Sequence, residues 1–335
     1  TKEYEKGLQL YSKGVLIMDK CAELLPDYFS FVKGLVDSED LSLNISRETL
    51  QHDGQLKLIA KTLEKKIKSE LEKMLKDERE AYEEFFKAFG IQLKFGIYND
   101  YGAHKETLRD LLIFRSSNEK KYVTLKEYVS RMKEGQDSIY YACGETDEKI
   151  DMLPQTDAVK DKGYEILYLT ENVDEFALKM LAEYDGKKFV NICDNDLNLD
   201  SEDEKKALEE ENTAAKDMFE AMKESLGDKI NAVRFTNKLK DHPVCLTSEG
   251  GISLEMEKVL NSMPGAEQNK VKAQLVLEIN ANHPIAEKLK TLYTEDKDTL
   301  GKYAKLLYGE ACLIGGKSVP DPAEHSALVC ELMTK

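Results

Sequence analysis

The residues best suited to chemistry lie in the stretch SLNISRETLQ, residues 42–51. Asn44 or Ser46 is suited to cap a helix, which places Arg47 in the first helical turn. A positive charge there opposes the helix dipole by roughly 0.3–1 kcal/mol, yet a guanidinium beside free backbone N–H groups can bind a phosphate. Gln51 follows Arg47 by four residues, on the same helical face. Two interpretations stay open: a helix-end charge and a phosphate ligand.

Other reactive residue types are scattered along the chain. Cys143 and Cys193 could act as nucleophiles only beside a base, and no local motif supplies one, so structural thiols are favoured. The five histidines show no spacing typical of a metal site. No G-x-S-x-G motif occurs, and no Gly-rich loop follows the strand DSIYYACG. We therefore predict no metal centre in this chain.

Composition narrows the class of protein. The 335 residues predict two or three domains, and 41% hydrophobic residues suffice for a core. A net charge of -16 argues against nucleic acid as a partner. No apolar run is long enough to span a membrane, and the first residues lack a signal-peptide pattern. Six scattered cysteines without C-x-x-C pairs favour a reduced, cytoplasmic chain.

The elements that would position these residues follow from periodicity. The pattern from Ser46 onward predicts an amphipathic helix with apolar residues three and four positions apart. A second helix carries Tyr82, Phe85, Phe86 and Phe89 and is predicted to stop at the glycine that follows, residue 90. The stretch ETLRDLLIFRSS, residues 106–117, is also predicted to be helical.

The middle of the chain alternates strands with helices. DSIYYACG, YEILYLT and KKFVNIC are predicted strands with helical stretches between them, a pattern typical of an α/β unit with a parallel sheet. Residues 194–215 are strongly acidic and predict a linker that runs into a helix.

Two apolar patterns near the carboxyl end predict binding surfaces. The helix in GGISLEMEKVLNSM has an apolar stripe that could be core or an adaptable, exposed binding surface: Ile252, Met256, Val259, Leu260 and Met263. The last two helices cannot bury both of their apolar faces alone, so we expect a four-helix bundle in a homodimer. The predicted dimerisation residues are Leu300, Tyr303, Leu306, Leu307, Leu328, Val329 and Leu332.

Several segments together resemble the heat-shock protein 90 family of molecular chaperones, in its bacterial form. Three segments resemble the family's middle domain: GVLIMDKCAELLPDYFSFVKGLVDSEDLSLNISRETLQ, EYVSRMKEGQDSIYY and DEFALKMLAEYDGKKF. Three later segments resemble its C-terminal domain: HPVCLTSEGGISLEMEKVL, LEINANHP and DPAEHSALVCELM. The resemblance covers the whole chain in order, so it implies the later part of such a chaperone, without its N-terminal ATP-binding domain.

The resemblance implies a multi-domain α/β (α+β) fold. It places α/β/α sandwich units of the middle domain around a helical coil, followed by a mixed α/β dimerisation domain. The implied boundaries are 1–52 for the end of the large middle subdomain, truncated at its start, 53–115 for the coil, 116–193 for the small middle subdomain, 194–215 for the linker and 216–335 for the dimerisation domain.

The resemblance also implies residue roles. Arg47 matches the middle-domain arginine that reaches the ATP γ-phosphate when the N-terminal domain docks, with Asn44 and Gln51 as polar companions. Glu175 and Phe176 match a client-contacting position, and the stripe from Ile252 to Met263 matches the client-binding helix. The family uses ATP and Mg²⁺, which this stretch alone is not expected to bind, so it should bind partly folded clients without hydrolysing ATP.

Two competing classes remain at this point. One is a self-contained α/β enzyme that uses a cysteine or an acidic site, whose turnover would stop when Cys143 or Cys193 is blocked. The other is an interaction scaffold without chaperone activity, which would bind no unfolded protein. Binding of an unfolded client by this chain, without any turnover, would separate the chaperone from both.

Overall fold

The computed structural model describes residues 7–41, 54–194, 197 and 199–334. The chain divides into two compact units, the first made of residues 1–114, 122–130 and 176–184 and the second of residues 115–121, 131–175 and 185–335. Helices occur with both parallel and antiparallel strand pairs, which confirms the predicted multi-domain α/β (α+β) class. The division into five segments with the predicted boundaries stays a prediction.

The first unit begins with a three-stranded sheet. Its central strand β1 pairs antiparallel with β2 and parallel with β3. The first helix places Leu56 in the apolar core beneath this sheet, together with Leu8 and Leu10. The elements are β1 (Leu8–Ser12), β2 (Val15–Cys21), β3 (Leu35–Asp37), α1 (Gly54–Asp77), α2 (Arg79–Asn99) and α3 (Lys105–Leu108), with 3-10 turns at Ala22–Leu24, Asp27–Phe29 and Arg109–Leu111.

The prediction that the second helix stops at Gly90 is wrong. Helix α2 continues to Asn99, and its apolar period continues through Leu93 and Ile97, which are both fully buried. Gly90 is itself buried, and a Cβ there would lie 2.7 Å from the ring of Phe86. The glycine therefore makes room for an aromatic ring one turn earlier and does not end the helix.

The prediction of a helix over residues 106–117 is also wrong. Helix α3 makes one turn, a 3-10 turn follows, and the chain then extends into strand β4 (Ile113–Ser116). Four consecutive residues, 111–114, are at most 2% exposed. A helix with one buried face cannot bury four residues in a row, whereas an extended segment covered on both sides can.

The predicted parallel sheet in the middle of the chain is confirmed. Four strands are hydrogen-bonded in the order β4, β7, β6, β9, and β6 runs parallel to both β7 and β9. Tyr140, Ile150, Val159 and Tyr168 belong to its core. The elements after β4 are β5 (Tyr122–Thr124), α4 (Leu125–Ser130), β6 (Ser138–Cys143), α5 (Asp147–Asp151), α6 (Thr156–Asp161), β7 (Ile166–Leu169), α7 (Asp174–Leu181), β8 (Glu183–Tyr184) and β9 (Lys187–Asn191).

Most of the acidic stretch is helical. Helix α8 (Glu202–Ala214) begins at Ser201, whose hydroxyl accepts a hydrogen bond from the backbone N–H of Glu204. The Glu204 carboxylate accepts one from the backbone N–H of Ser201 at 2.8 Å. This capping box satisfies two N–H groups at the start of a helix that has no buried residue.

The last third of the chain surrounds a second sheet. Its order is β10, β12, β11, with β12 parallel to β10 and antiparallel to β11. A single apolar core joins this sheet to the helices around it. The elements are α9 (Lys216–Leu226), β10 (Ala232–Thr236), β11 (Val244–Glu249), α10 (Leu254–Ser262), β12 (Gln274–Asn280), α11 (Pro284–Glu295), α12 (Lys297–Ile314) and α13 (Pro322–Met333), with 3-10 turns at Gly227–Lys229 and Ala266–Gln268.

Among the helices of the described residues, none is both long enough and apolar enough to cross a membrane.

Candidate functional site

The proposed phosphate-binding group lies outside the described residues. Arg47, Asn44 and Gln51 fall within residues 42–53, for which the structure gives no geometry. Their grouping stays a prediction from the sequence.

Glu175 is the centre of a buried polar cluster that links three parts of the second unit. The hydroxyl of Tyr141 and the amide nitrogen of Asn191 each donate a hydrogen bond to Glu175 Oε1 at 2.9 Å. The hydroxyl of Ser253 donates to Glu175 Oε2. All four side chains are between 2% and 4% exposed. The carboxyl group is therefore solvated by protein donors and not by water.

Strand register brings two of these donors together. Tyr141 in β6 and Asn191 in β9 are direct partners in the parallel pair, so their side chains emerge on the same face of the sheet. The backbone N–H of Cys193 donates to Asn191 Oδ1 at 2.9 Å, so the amide nitrogen of Asn191 is the group left to point at Glu175. Glu175 itself is in the first turn of α7, where the helix dipole favours an acidic residue.

Ser253 connects this cluster to the predicted client-binding helix. It is the N-cap residue of α10, and its Oγ accepts a hydrogen bond from the backbone N–H of Met256 at 3.1 Å. The same hydroxyl thus accepts from the helix and donates to Glu175. Of these four residues only Glu175 was predicted from the sequence; Tyr141, Asn191 and Ser253 were not, although Ser253 before an apolar helix is a capping signal.

The apolar stripe of α10 is divided between core and surface. Val259 is 6% exposed, and Ile252 packs against the core of the second sheet. Met256 and Leu260 are half-buried, and Met263 is 46% exposed. The core interpretation therefore holds for Val259 and Ile252, and the binding-surface interpretation stays a prediction for the exposed part of the stripe.

The surface beside α10 offers further apolar side chains. A cavity of about 520 Å³ is lined by Glu255 and Lys258 of α10 and by Met152 and Leu313 from other elements. Met152 is 71% exposed and Leu313 is 56% exposed. No local pattern predicts this grouping, because its members are far apart in sequence.

Phe176 is buried in this structure. It is 7% exposed, and its ring packs edge-on against Tyr98 with centroids 5.4 Å apart. Glu175 is 3% exposed. The client contact predicted for these two residues stays a prediction, and in the described conformation neither presents an open surface.

The two candidate cysteine nucleophiles are poorly placed for that chemistry. Both line a cavity of about 50 Å³ together with Ser253 and Glu255. Burial, and then nearby carboxylates, raise the pKa of Cys143 and raise the pKa of Cys193 to about 12. Since the thiolate is the reactive form, these shifts disfavour nucleophilic catalysis. In the part of the chain that the structure describes, no His, Cys, Asp and Glu residues group into a metal site.

The predicted dimerisation residues of α12 face two environments. Leu300 and Leu307 are 1% and 5% exposed and belong to the core of their own chain. Tyr303 and Leu306 are half-buried. Only the second pair therefore has surface left for a partner.

Helix α13 retains more apolar surface. Leu328 is 8% exposed, Val329 and Leu332 are half-buried, and Met333 is 81% exposed. Three polar contacts hold this helix on α12: Lys302–Glu331 at 2.5 Å, Lys305–Glu324 at 2.8 Å and His325–Glu310 at 3.0 Å.

Comparison with known proteins matches the whole chain to one family. The family model described as Hsp90 protein matches residues 1–335. The chain is 58% identical over 333 residues to the chaperone protein HtpG of Bacillus subtilis (strain 168) and to that of Clostridium perfringens (strain 13 / Type A), and 56% identical to that of Alkaliphilus oremlandii. Each match covers 99% of this chain and 53% of the relative, so the chain spans about half the length of these relatives.

Proposed function

This chain belongs to the heat-shock protein 90 family, and we propose that it is the client-binding and dimerisation part of an ATP-dependent molecular chaperone. In this proposal it binds partly folded proteins through apolar surface and pairs with a second copy through its last helices. An ATP-binding domain, acting with Arg47, would supply the nucleotide chemistry.

The observation that carries the proposal is the apolar surface at α10. Met256 and Leu260 on this helix and Met263 directly after it have exposed area, and Met152 and Leu313 are exposed on the wall of the adjoining cavity. Unbranched methionine side chains adapt to partners of different shape, which suits unfolded segments of varied sequence. Glu255 and Lys258 at the edge give the surface a polar rim.

The dimer part of the proposal is supported by α13. Its apolar side chains Val329, Leu332 and Met333 keep exposed area although the helix is docked on its own chain. A second copy related by a two-fold axis would cover the same residues on both chains.

The ATPase part rests on sequence resemblance, because Arg47 is outside the described residues. A guanidinium delivered to the γ-phosphate stabilises negative charge in the transition state of phosphoryl transfer. Asn44 and Gln51 would orient this group. ATP and Mg²⁺ belong to the other domain in this proposal.

Site-specific photo-crosslinking tests the client surface. A photoreactive residue placed at Met263 should crosslink to an unfolded protein such as reduced, carboxymethylated α-lactalbumin. The matched control places the same group at Leu58, which is 58% exposed on α1. Equal crosslinking at the two positions would contradict a dedicated surface at α10.

A further inference from the structure

The hydroxyl of Ser253 has two partners that belong to different parts of the second unit. It accepts from the backbone N–H of Met256 inside α10, and it donates to Glu175 at the start of α7. A serine hydroxyl has one hydrogen to donate, so its donation to Glu175 fixes the torsion angle about Cβ–Oγ. The lone pairs are then directed towards the helix N–H groups.

Hydrogen bonds from the parallel sheet hold the side chain of Glu175 in place. Its other oxygen accepts from Tyr141 and Asn191, which lie on two neighbouring strands in direct register. The Asn191 amide is in turn held by the backbone N–H of Cys193. The sheet therefore fixes the position of this carboxyl group, whereas a carboxyl group on the surface would be free to move.

We propose that Glu175 is a positioning residue for α10: it orients the N-cap hydroxyl of Ser253 and so fixes the helix that carries Met256 and Leu260 relative to the parallel sheet. Its effect on clients rests on the function proposed above for α10. In this assignment Glu175 acts on α10 through Ser253, and its 3% exposure leaves it little surface of its own for a client in the described conformation.

Gln155 and Glu145 also connect the parallel-sheet region to the second sheet or to α10, but neither makes a buried contact with α10. Gln155 donates from Nε2 to the backbone carbonyl of Leu246 at 3.0 Å, which ties β11 and not α10. Lys258 of α10 pairs with Glu145 at 3.3 Å, but both side chains are more than half exposed. An exposed ion pair of this geometry contributes little to fixing a helix. It provides a matched control for the buried contact.

The substitution Glu175→Gln tests the positioning role with little change of shape. The glutamine oxygen can still accept from Tyr141 and Asn191, but its NH₂ group then faces Ser253 as a second donor. The Ser253 hydrogen loses its acceptor and the hydroxyl can rotate. We expect the backbone amide of Met256 to exchange with solvent about tenfold faster, and the Kd for carboxymethylated α-lactalbumin to rise about tenfold.

A double-substitution cycle separates positioning from general destabilisation. Ser253→Ala removes the hydroxyl through which Glu175 is proposed to act. Glu175→Gln should therefore change the Met256 exchange rate about tenfold in the wild-type chain and less than twofold when Ser253→Ala is already present. Ser253→Thr keeps the hydroxyl and should restore most of the protection. Glu145→Gln, which weakens the exposed pair with Lys258, should leave the exchange rate within twofold of wild type.

Two results would overturn the assignment. One is an unchanged Met256 exchange rate in Glu175→Gln, and the other is a tenfold effect of Glu175→Gln whether or not Ser253→Ala is present. Failure of the unaltered chain to bind carboxymethylated α-lactalbumin would instead contradict the proposed function. The exchange rates decide the positioning role in either case, because they are measured without a client.

Discussion

The imidazole of His325 in α13 lies directly against Gly309 in α12, where a Cβ atom would overlap its Nδ1. On the other side of the ring, His325 Nε2 is 3.0 Å from Glu310 Oε1. The absent side chain at Gly309 therefore lets α13 approach α12 closely, which places Val329 and Leu332 for the proposed partner.

Gly309→Ala should displace α13 from α12. The added methyl group forces the imidazole to move, and overpacking of this kind costs about 1–3 kcal/mol. Thermal unfolding should show a lower Tm, and sedimentation should show a weaker dimer. Gly54→Ala is the matched control, because a Cβ at Gly54 meets nothing within 4 Å. Equal Tm values for the two variants would contradict the close packing described here.

Val329→Asp should give monomers. The substitution places a charge on the half-buried face of α13 that we propose meets a second copy, and an unpaired charge in an apolar interface is costly. Analytical ultracentrifugation should report a monomer, as it should after deletion of residues 321–335. Leu58→Asp, at an exposed position on α1, is the control and should sediment like wild type. A dimer that persists in Val329→Asp would place the interface elsewhere.

The pH dependence of stability should involve Glu278 in the second sheet. It is 1% exposed and accepts hydrogen bonds from Arg234 at 2.9 Å and from Lys238 at 3.2 Å. Burial opposes ionisation, but Lys238 and Arg234 outweigh it and hold the pKa of this carboxyl below its ordinary value. Its stabilising contribution is complete above the unfolded-state pKa of about 4.3 and is lost as the pH falls through the lower folded-state pKa.

Glu278→Gln should therefore lower the free energy of unfolding most near neutral pH. Removing the negative charge from this buried ionic cluster costs about 3–5 kcal/mol, because the glutamine oxygen can still accept hydrogen bonds but no longer neutralises Lys238 and Arg234. Urea unfolding should show that the difference in free energy of unfolding between wild type and variant shrinks as the pH is lowered below about 4. Glu209→Gln, on the exposed face of α8, should follow wild type at every pH. A difference that does not change with pH would contradict the assigned role of Glu278.

Arg47→Ala should abolish ATP hydrolysis that depends on this chain. We expect a separately produced ATP-binding domain of the family to hydrolyse ATP faster when the chain is added. Since an arginine delivered in trans to a γ-phosphate contributes about 10³-fold or more to the rate, the alanine variant should give no stimulation. The control Lys61→Ala, on the exposed face of α1, should stimulate normally. Equal stimulation by Arg47→Ala would show that the charge has another role.

The sequence predicted elements better than it predicted contacts. The three parallel strands and α10 follow from local periodicity, which a single segment contains in full. The hydrogen bond from Ser253 to Glu175 joins residues 78 positions apart, so no local pattern encodes it. Gly90 shows the same limit, because a glycine that ends a helix and a glycine beneath a ring look alike in sequence.

The apolar stripe of α10 shows why the candidate site was only partly predictable. Helical spacing placed Val259 and Met256 on one face, but it could not tell which of them the sheet would cover. The two side chains differ in exposure: Val259 lies in the core, whereas Met256 is half-exposed. Met152 and Leu313 joined the surface only through the tertiary fold.

Suppression of client aggregation is the sharpest test of a client-binding surface on α10. The chain is mixed with an unfolding protein, and light scattering is followed for wild type, Met256→Ser and the control Leu58→Ser. We expect wild type and Leu58→Ser to suppress aggregation equally, and Met256→Ser to need an at least tenfold higher concentration for the same suppression at the same Tm, because about 1.5–3 kcal/mol of apolar contact is lost. Equal suppression by Met256→Ser, or none by the wild-type chain, would contradict a client-binding surface on α10.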